Sequence, residues 1–141
     1  MKSELIIYTS FVSPLSLPEF IEKGLLPIFI IRSIGNSNLI KSYEGSPVHM
    51  KDLSPSSELF RKKRDKLITI DEFKKLYAIE ISNVSLERVI KDLEMLVEIS
   101  GASGVVLLGY GSNKDICHRG VLSNILNESG LLVNRVKEII V

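Results

Sequence analysis

The stretch GVVLLGYGSNKDICHRGVLSNIL, residues 104–126, passes from a buried-strand pattern to a helical one, and the fold follows from that alternation. Val105 to Leu108 is a continuous apolar run with glycine on either side. Runs of this kind belong to strands covered on both faces, which are mainly strands of parallel sheets. Val121, Leu122, Ile125 and Leu126 then recur at helical spacing, with Asp115 as the expected N-cap and Gly130 near the end. A buried strand leading into an amphipathic helix is half of a βαβ unit.

The same alternation extends in both directions. Leu5 to Tyr8 predicts a first strand emerging at Thr9 and Ser10. A helix from Leu17 to Lys23 follows, with Ser16 and Glu19 spaced as a capping box and Gly24 placed to end it. Pro27 leads into a second apolar run, Ile28 to Ile31. From Arg32 to Leu53 neither period persists, apart from a short strand expected near Val48. Ser54 and Pro55 read as N-cap and first position of a helix through Leu59 and Phe60. Thr69 and Glu72 form a second capping-box spacing before Phe73, Leu76 and Tyr77. Leu86 to Ile99 is the clearest helix, carrying Leu86, Val89, Ile90, Leu93, Leu96 and Val97 on one face behind Ser85. Val136 to Val141 reads as a last strand. The expectation is one α/β domain over residues 1–141, with a three-layer, mainly parallel central sheet flanked by helices and joined by right-handed crossovers.

Composition narrows the class. The 141 residues are 45% hydrophobic and 25% charged, the balance of an ordinary globular chain. Eighteen basic against seventeen acidic side chains leave a net charge of +1, so charge lends no support to nonspecific nucleic-acid binding. The run Arg61, Lys62, Lys63, Arg64 and Lys66 reads as a solvated helix end. One cysteine excludes an intramolecular disulfide and favours a reducing compartment. With neither a leader pattern nor an apolar stretch approaching ~20 residues, the expectation is a cytoplasmic protein that does not enter membranes.

Parallel sheets bind ligands beyond the carboxyl ends of their strands. That rule selects Thr9 and Ser10 after the first strand, Arg32 after the second, and Tyr110, Gly111 and Ser112 onward after the Val105 strand. The last segment reaches Cys117, His118 and Arg119. With Asp115 capping the helix, Cys117 falls in the first turn, where free backbone N–H groups favour thiolate and anion alike. Histidine adds a general acid or base, and arginine a partner for phosphate or carboxylate. From spacing alone, a buried cysteine acting as a small hydrophobe is the better reading.

Other chemistries fail on spacing. Cys117 and Arg119 are too close for a phosphatase loop. One cysteine and two histidines fall short of a structural zinc site, so no metal is expected. Gly109 and Gly111 form half of a dinucleotide fingerprint without its third glycine, so no cofactor is assigned. Tyr43 and Tyr77 read as packing residues with satisfied hydroxyls.

Four segments together resemble a known family: Ile7-Tyr8-Thr9-Ser10, the run from Leu53 to Leu59, Ile70-Asp71-Glu72-Phe73 with Tyr77, and Val106-Leu107-Leu108 leading to Cys117-His118-Arg119. The chain resembles the family catalogued as domain of unknown function 488, whose members begin a helix with the same Cys-His-Arg triplet after a strand and a loop. The resemblance implies a mixed α/β fold, carries Cys117, His118 and Arg119 over as the site with Arg32 and Thr9 as companions, and reverses the reading of Cys117. It implies no reaction. Residues 33–48 are richer in Gly, Ser and Asn than the longer members, which leaves the substrate loop open. The expected ligand is a small anion of nucleotide type. Three readings stand: an enzyme or ligand-processing domain, a non-catalytic binding module for nucleotide or nucleic acid, and a structural cluster at the sheet edge.

Overall fold

The strands of this protein, in a computed structural model, are β1 (Ile7–Phe11), β2 (Leu25–Phe29), β3 (Val48–His49), β4 (Gly104–Gly109) and β5 (Lys137–Glu138). They form one sheet in the order β3-β2-β4-β1-β5, and every pairing is parallel. The helices are α1 (Ser16–Glu22), α2 (Ser57–Arg64), α3 (Ile70–Ser82), α4 (Leu86–Ser100) and α5 (His118–Glu128). The structure describes residues 2–12, 16–31, 48–110 and 117–139, without the side chains of 16 and 17. Arg32, Tyr43, Gly111, Ser112 and Asp115 lie outside the described residues, as do the hydroxyl half of the Ser16–Glu19 box and most of the irregular segment.

The sheet is covered on both faces, as its apolar runs require. Ile7, Ile28, Ile30, Val105 and Leu107 join one core with Leu59, Phe73, Ile90 and Leu122 from the helices α2 to α5. Val106, Leu108, Leu25 and Phe29 join the other with Phe20 of α1. All of β4 is buried. The result is the expected three-layer α/β arrangement, with an all-parallel sheet. No helix among the described residues is long and apolar enough to cross a membrane.

Element ends depart from expectation where a partner distant in sequence decides them. β1 runs on through Thr9 and Ser10 because Thr9 Oγ1 donates to Glu138 at 2.6 Å and Ser10 Oγ to the Ile139 carbonyl at 2.9 Å. β2 begins at Leu25 and includes Pro27. The Ile30 N–H donates to β4 and the Phe29 carbonyl accepts from Met50, so alternation turns the Pro27 nitrogen toward β3. Among the described residues β3 pairs with Ile28 and Phe29, beyond Pro27, and no ladder bond there calls on the missing N–H.

The N-cap of α2 is Ser56, two residues beyond the expected Ser54. The Ser54 hydroxyl instead donates back to Lys51 and closes a short 3-10 turn over Lys51–Leu53. The Thr69–Glu72 capping box forms as expected, with both reciprocal bonds present. Ser85 caps α4, and Gly101 ends it at φ 72°, the left-handed region that suits glycine. Of the expected last strand, β5 holds Lys137–Glu138, Val136 and Ile139 fall outside it, and residues 140 and 141 lie outside the described residues.

Candidate functional site

Helix α5 begins at His118 with Cys117 as its N-cap, in place of the expected Asp115. Cys117 therefore has extended backbone and stands just before the first turn, directly over the carboxyl end of β4. A Cβ placed on Gly109 would stand 2.8 Å from Cys117 Sγ and 3.5 Å from Arg119 Nη1. Only glycine lets the thiol and the guanidinium settle onto the strand end.

The geometry fixes the histidine tautomer. His118 Nε2 bonds the Ile30 carbonyl, which can only accept, so Nε2 carries a hydrogen. Nδ1 is left facing Cys117 Sγ at 3.6 Å. Tyr77 sets the ring from the side, edge-on with centroids 5.3 Å apart, while its own hydroxyl donates to Leu53 at 2.6 Å. Tyr77 is thus the packing residue with a satisfied hydroxyl that its setting predicts. The Ile30 carbonyl lies just past β2, which turns outward to β3, whereas neighbouring β4 feeds α5 and β5 on the other side. Adjacent strands whose connections diverge mark the point where doubly wound sheets bind ligands.

Cys117 is 4% exposed, and burial alone pushes its thiol up. The His118 hydrogen bond and charge, the approaching Arg119 backbone N–H and the Arg119 guanidinium outweigh that, and the thiol is lowered to about 6. Arg119 has no exposed surface. Its Nε lies 3.2 and 3.1 Å from the two Glu138 oxygens, and Nη2 donates to Oε2 at 3.0 Å. Glu138 also accepts from Thr9, so β1, β5 and α5 meet at one carboxylate.

The structure thus brings Cys117, His118, Arg119 and Thr9 together. Ser10 is fully buried and turned to β5 on the opposite face, while Tyr110 is 47% exposed at the end of β4. Arg32, Gly111 and Ser112 lie outside the described residues. Sequence reasoning missed Glu138, whose signal was a lone carboxylate in the apolar run from Val136, and the contact role of Gly109. Among the described residues, no group of three or more His, Cys, Asp or Glu is placed to hold a metal.

No curated protein and no solved structure matches the chain. A family model described as "Active DUF488-N3 subclade" matches residues 28–130, a stretch that holds the end of β2, β3, β4, all of α2 to α5 and the Cys-His-Arg triplet, but neither Thr9 nor Glu138. The match spans most of the chain and agrees with the resemblance carried by the triplet. The chain belongs to the DUF488-N3a family.

Proposed function

We propose that this protein is a cysteine-dependent enzyme, or ligand-processing domain, acting on a small anionic ligand of nucleotide type. The observation that carries the reading is Cys117 Sγ facing His118 Nδ1 at 3.6 Å while Nε2 is held by a carbonyl. In the reaction the thiol proton passes to Nδ1, and the thiolate bonds an electrophilic centre of the ligand. The bond to the leaving group breaks, and that group takes the proton from Nδ1. Water then releases the product and restores the thiol. The first-turn N–H groups of α5 face the anionic part of the ligand.

Arg119 acts as a positioning residue in this reading. Its side chain lies side-on against Glu138, holds the start of α5 against β5, and adds positive charge beside the sulfur. Membership in a subclade described as active supports a working site. A reducing cytoplasm, where the single thiol stays reduced, is the setting we assign.

Alkylation of Cys117 by iodoacetamide across pH tests the reading. The expected rate profile inflects near 6, and His118→Ala moves the inflection up toward the free-thiol value of about 8.5. A wild-type inflection at or above that value, or the same profile in both proteins, removes Cys117 as nucleophile. The binding-module reading predicts instead that Cys117→Ser keeps full ligand affinity and that wild type turns nothing over.

A further inference from the structure

We propose that Phe11 is the specificity-determining residue of the Cys117 site, where its ring packs against the planar, uncharged base of the ligand. The inference rests on the proposed ligand site and names the side chain that reads its apolar part. Phe11 ends β1 and pairs in register with Gly109 of β4. Residues paired in register present their side chains on one face of a sheet, and neighbouring strands lie about 4.8 Å apart. A Cβ on Gly109 would point at Cys117 Sγ and Arg119, so the Phe11 side chain leaves the sheet on the Cys117 face, one strand away from the sulfur. Arg119 Cζ lies 5.9 Å from the Phe11 ring centroid, within cation–π distance. The Val12 N–H donates to the Gly109 carbonyl at 2.8 Å and fixes the Phe11 backbone in this place.

The ring stands at the rim of the strand-end crevice. Ile7 and Thr9, which precede it on the same face of β1, are buried, whereas Phe11 is partly exposed. Its neighbours at this end are polar: the thiol and imidazole of the triplet, the guanidinium and the Glu138 carboxylate. Those groups suit charge and proton transfer. A flat base is held instead by an aromatic surface, through offset or edge contacts that are largely indifferent to which base it is. The triplet and Phe11 therefore divide a nucleotide-like ligand between them, the first-turn N–H groups facing its anion and the ring its base. Other aromatic rings are placed differently. Phe73 and Tyr77 are buried in the core beneath α2 to α5, Phe20 and Phe29 in the core beneath α1, and Phe60 is exposed on α2.

Cys117 is alkylated near pH 7 with iodoacetamide and with iodoacetanilide, which carries the same reactive carbon on an aromatic tail. Phe11→Leu should lower the iodoacetanilide rate relative to iodoacetamide about fivefold, the scale of one aromatic contact. Phe11→Tyr should restore most of that ratio, and Phe60→Leu should leave it unchanged. An unchanged ratio in Phe11→Leu overturns the inference, as does an equal fall in Phe60→Leu or a Phe11→Tyr that restores nothing. A fall accompanied by a Phe11→Leu pH profile like that of a free thiol also counts against it, because the site has then come apart. If iodoacetamide shows Cys117 to be inert, the nucleophile reading fails separately. The Tm of Cys117→Ser with adenosine monophosphate and with ribose 5-phosphate then decides for Phe11. A larger rise with the base-bearing compound that vanishes on adding Phe11→Leu supports the inference; no such difference, or one that persists, overturns it.

Discussion

Glu138→Gln removes the countercharge from a guanidinium that has no exposed surface. Breaking a buried ion pair from one side costs about 3–5 kcal/mol, because the remaining charge stays in a poorly solvating interior. The Glu138 side chain is 13% exposed, and glutamine keeps one acceptor for Thr9 or Arg119, so the loss belongs at the lower end, about 3 kcal/mol. In a chain of 141 residues that corresponds to a drop in Tm of about 10 °C, at about 3 °C per kcal/mol. Urea denaturation followed by circular dichroism near pH 7 reads the loss as a lower midpoint at unchanged slope. Lys137→Gln, on the same short strand but exposed, should stay within about 0.5 kcal/mol of wild type. Combining Glu138→Gln with Arg119→Met should cost less than the two single losses added, since the second change removes the stranded charge. A loss below about 1 kcal/mol for Glu138→Gln, the scale of an exposed pair, refutes the reasoning.

Gly109→Ala forces its new methyl to within 2.8 Å of Cys117 Sγ, and the displaced thiol should cost about 1–3 kcal/mol in urea and slow alkylation; a variant alkylated at the wild-type rate counts against the packing described. Cys117 ionises at about 6 when folded, against ~8.5 for a free thiol, so between these values the folded chain binds fewer protons than the unfolded one. Stability from this group is therefore complete above ~8.5, is lost as pH falls through the folded value, and totals on the order of 3 kcal/mol. The wild-type minus Cys117→Ser difference in unfolding free energy should rise over that window, and a flat difference sinks the assignment. Tyr77→Phe leaves the buried Leu53 carbonyl without its 2.6 Å donor and should cost about 1 kcal/mol while the alkylation profile of Cys117 stays put; a shifted profile would give the hydroxyl a role in the thiol's ionisation.

What could be read from the chain beforehand follows the distance over which each determinant acts. The strands around Val105 and Ile28, the Thr69–Glu72 box and the amphipathic α4 depend on neighbours within a few residues, so periodicity and capping chemistry disclosed them. Cys117, His118 and Arg119 are adjacent, and the strand-end rule needs only the order of elements. Glu138 lies 19 residues from Arg119 and 129 from Thr9, and no local pattern joins them. The extension of β1 through two hydroxyl residues was hidden for the same reason, because its partners sit on β4 and on Glu138 and Ile139, far along the chain. Pro27 reads only as the lead-in to the Ile28 run, since its place inside β2 depends on which neighbour its nitrogen faces. Lys63 reads like its solvated neighbours because only tertiary packing lays its ammonium over the Phe73 ring while Lys62 pairs with Glu58.

The meeting of β1, β5 and α5 at Glu138 also sets an order of assembly. Thr9 and Arg119 both wait for a carboxylate encoded after them, so a chain still being synthesised holds the triplet and its helix but lacks the group that neutralises the guanidinium. Until β5 docks beside β1, burying Arg119 is unfavourable, and the start of α5 closes onto Gly109 without the support of that ion pair. The Arg119 share of the thiol's ionising environment is therefore set in place by β5, while the larger His118 share is set by Ile30 and Tyr77 and does not depend on it.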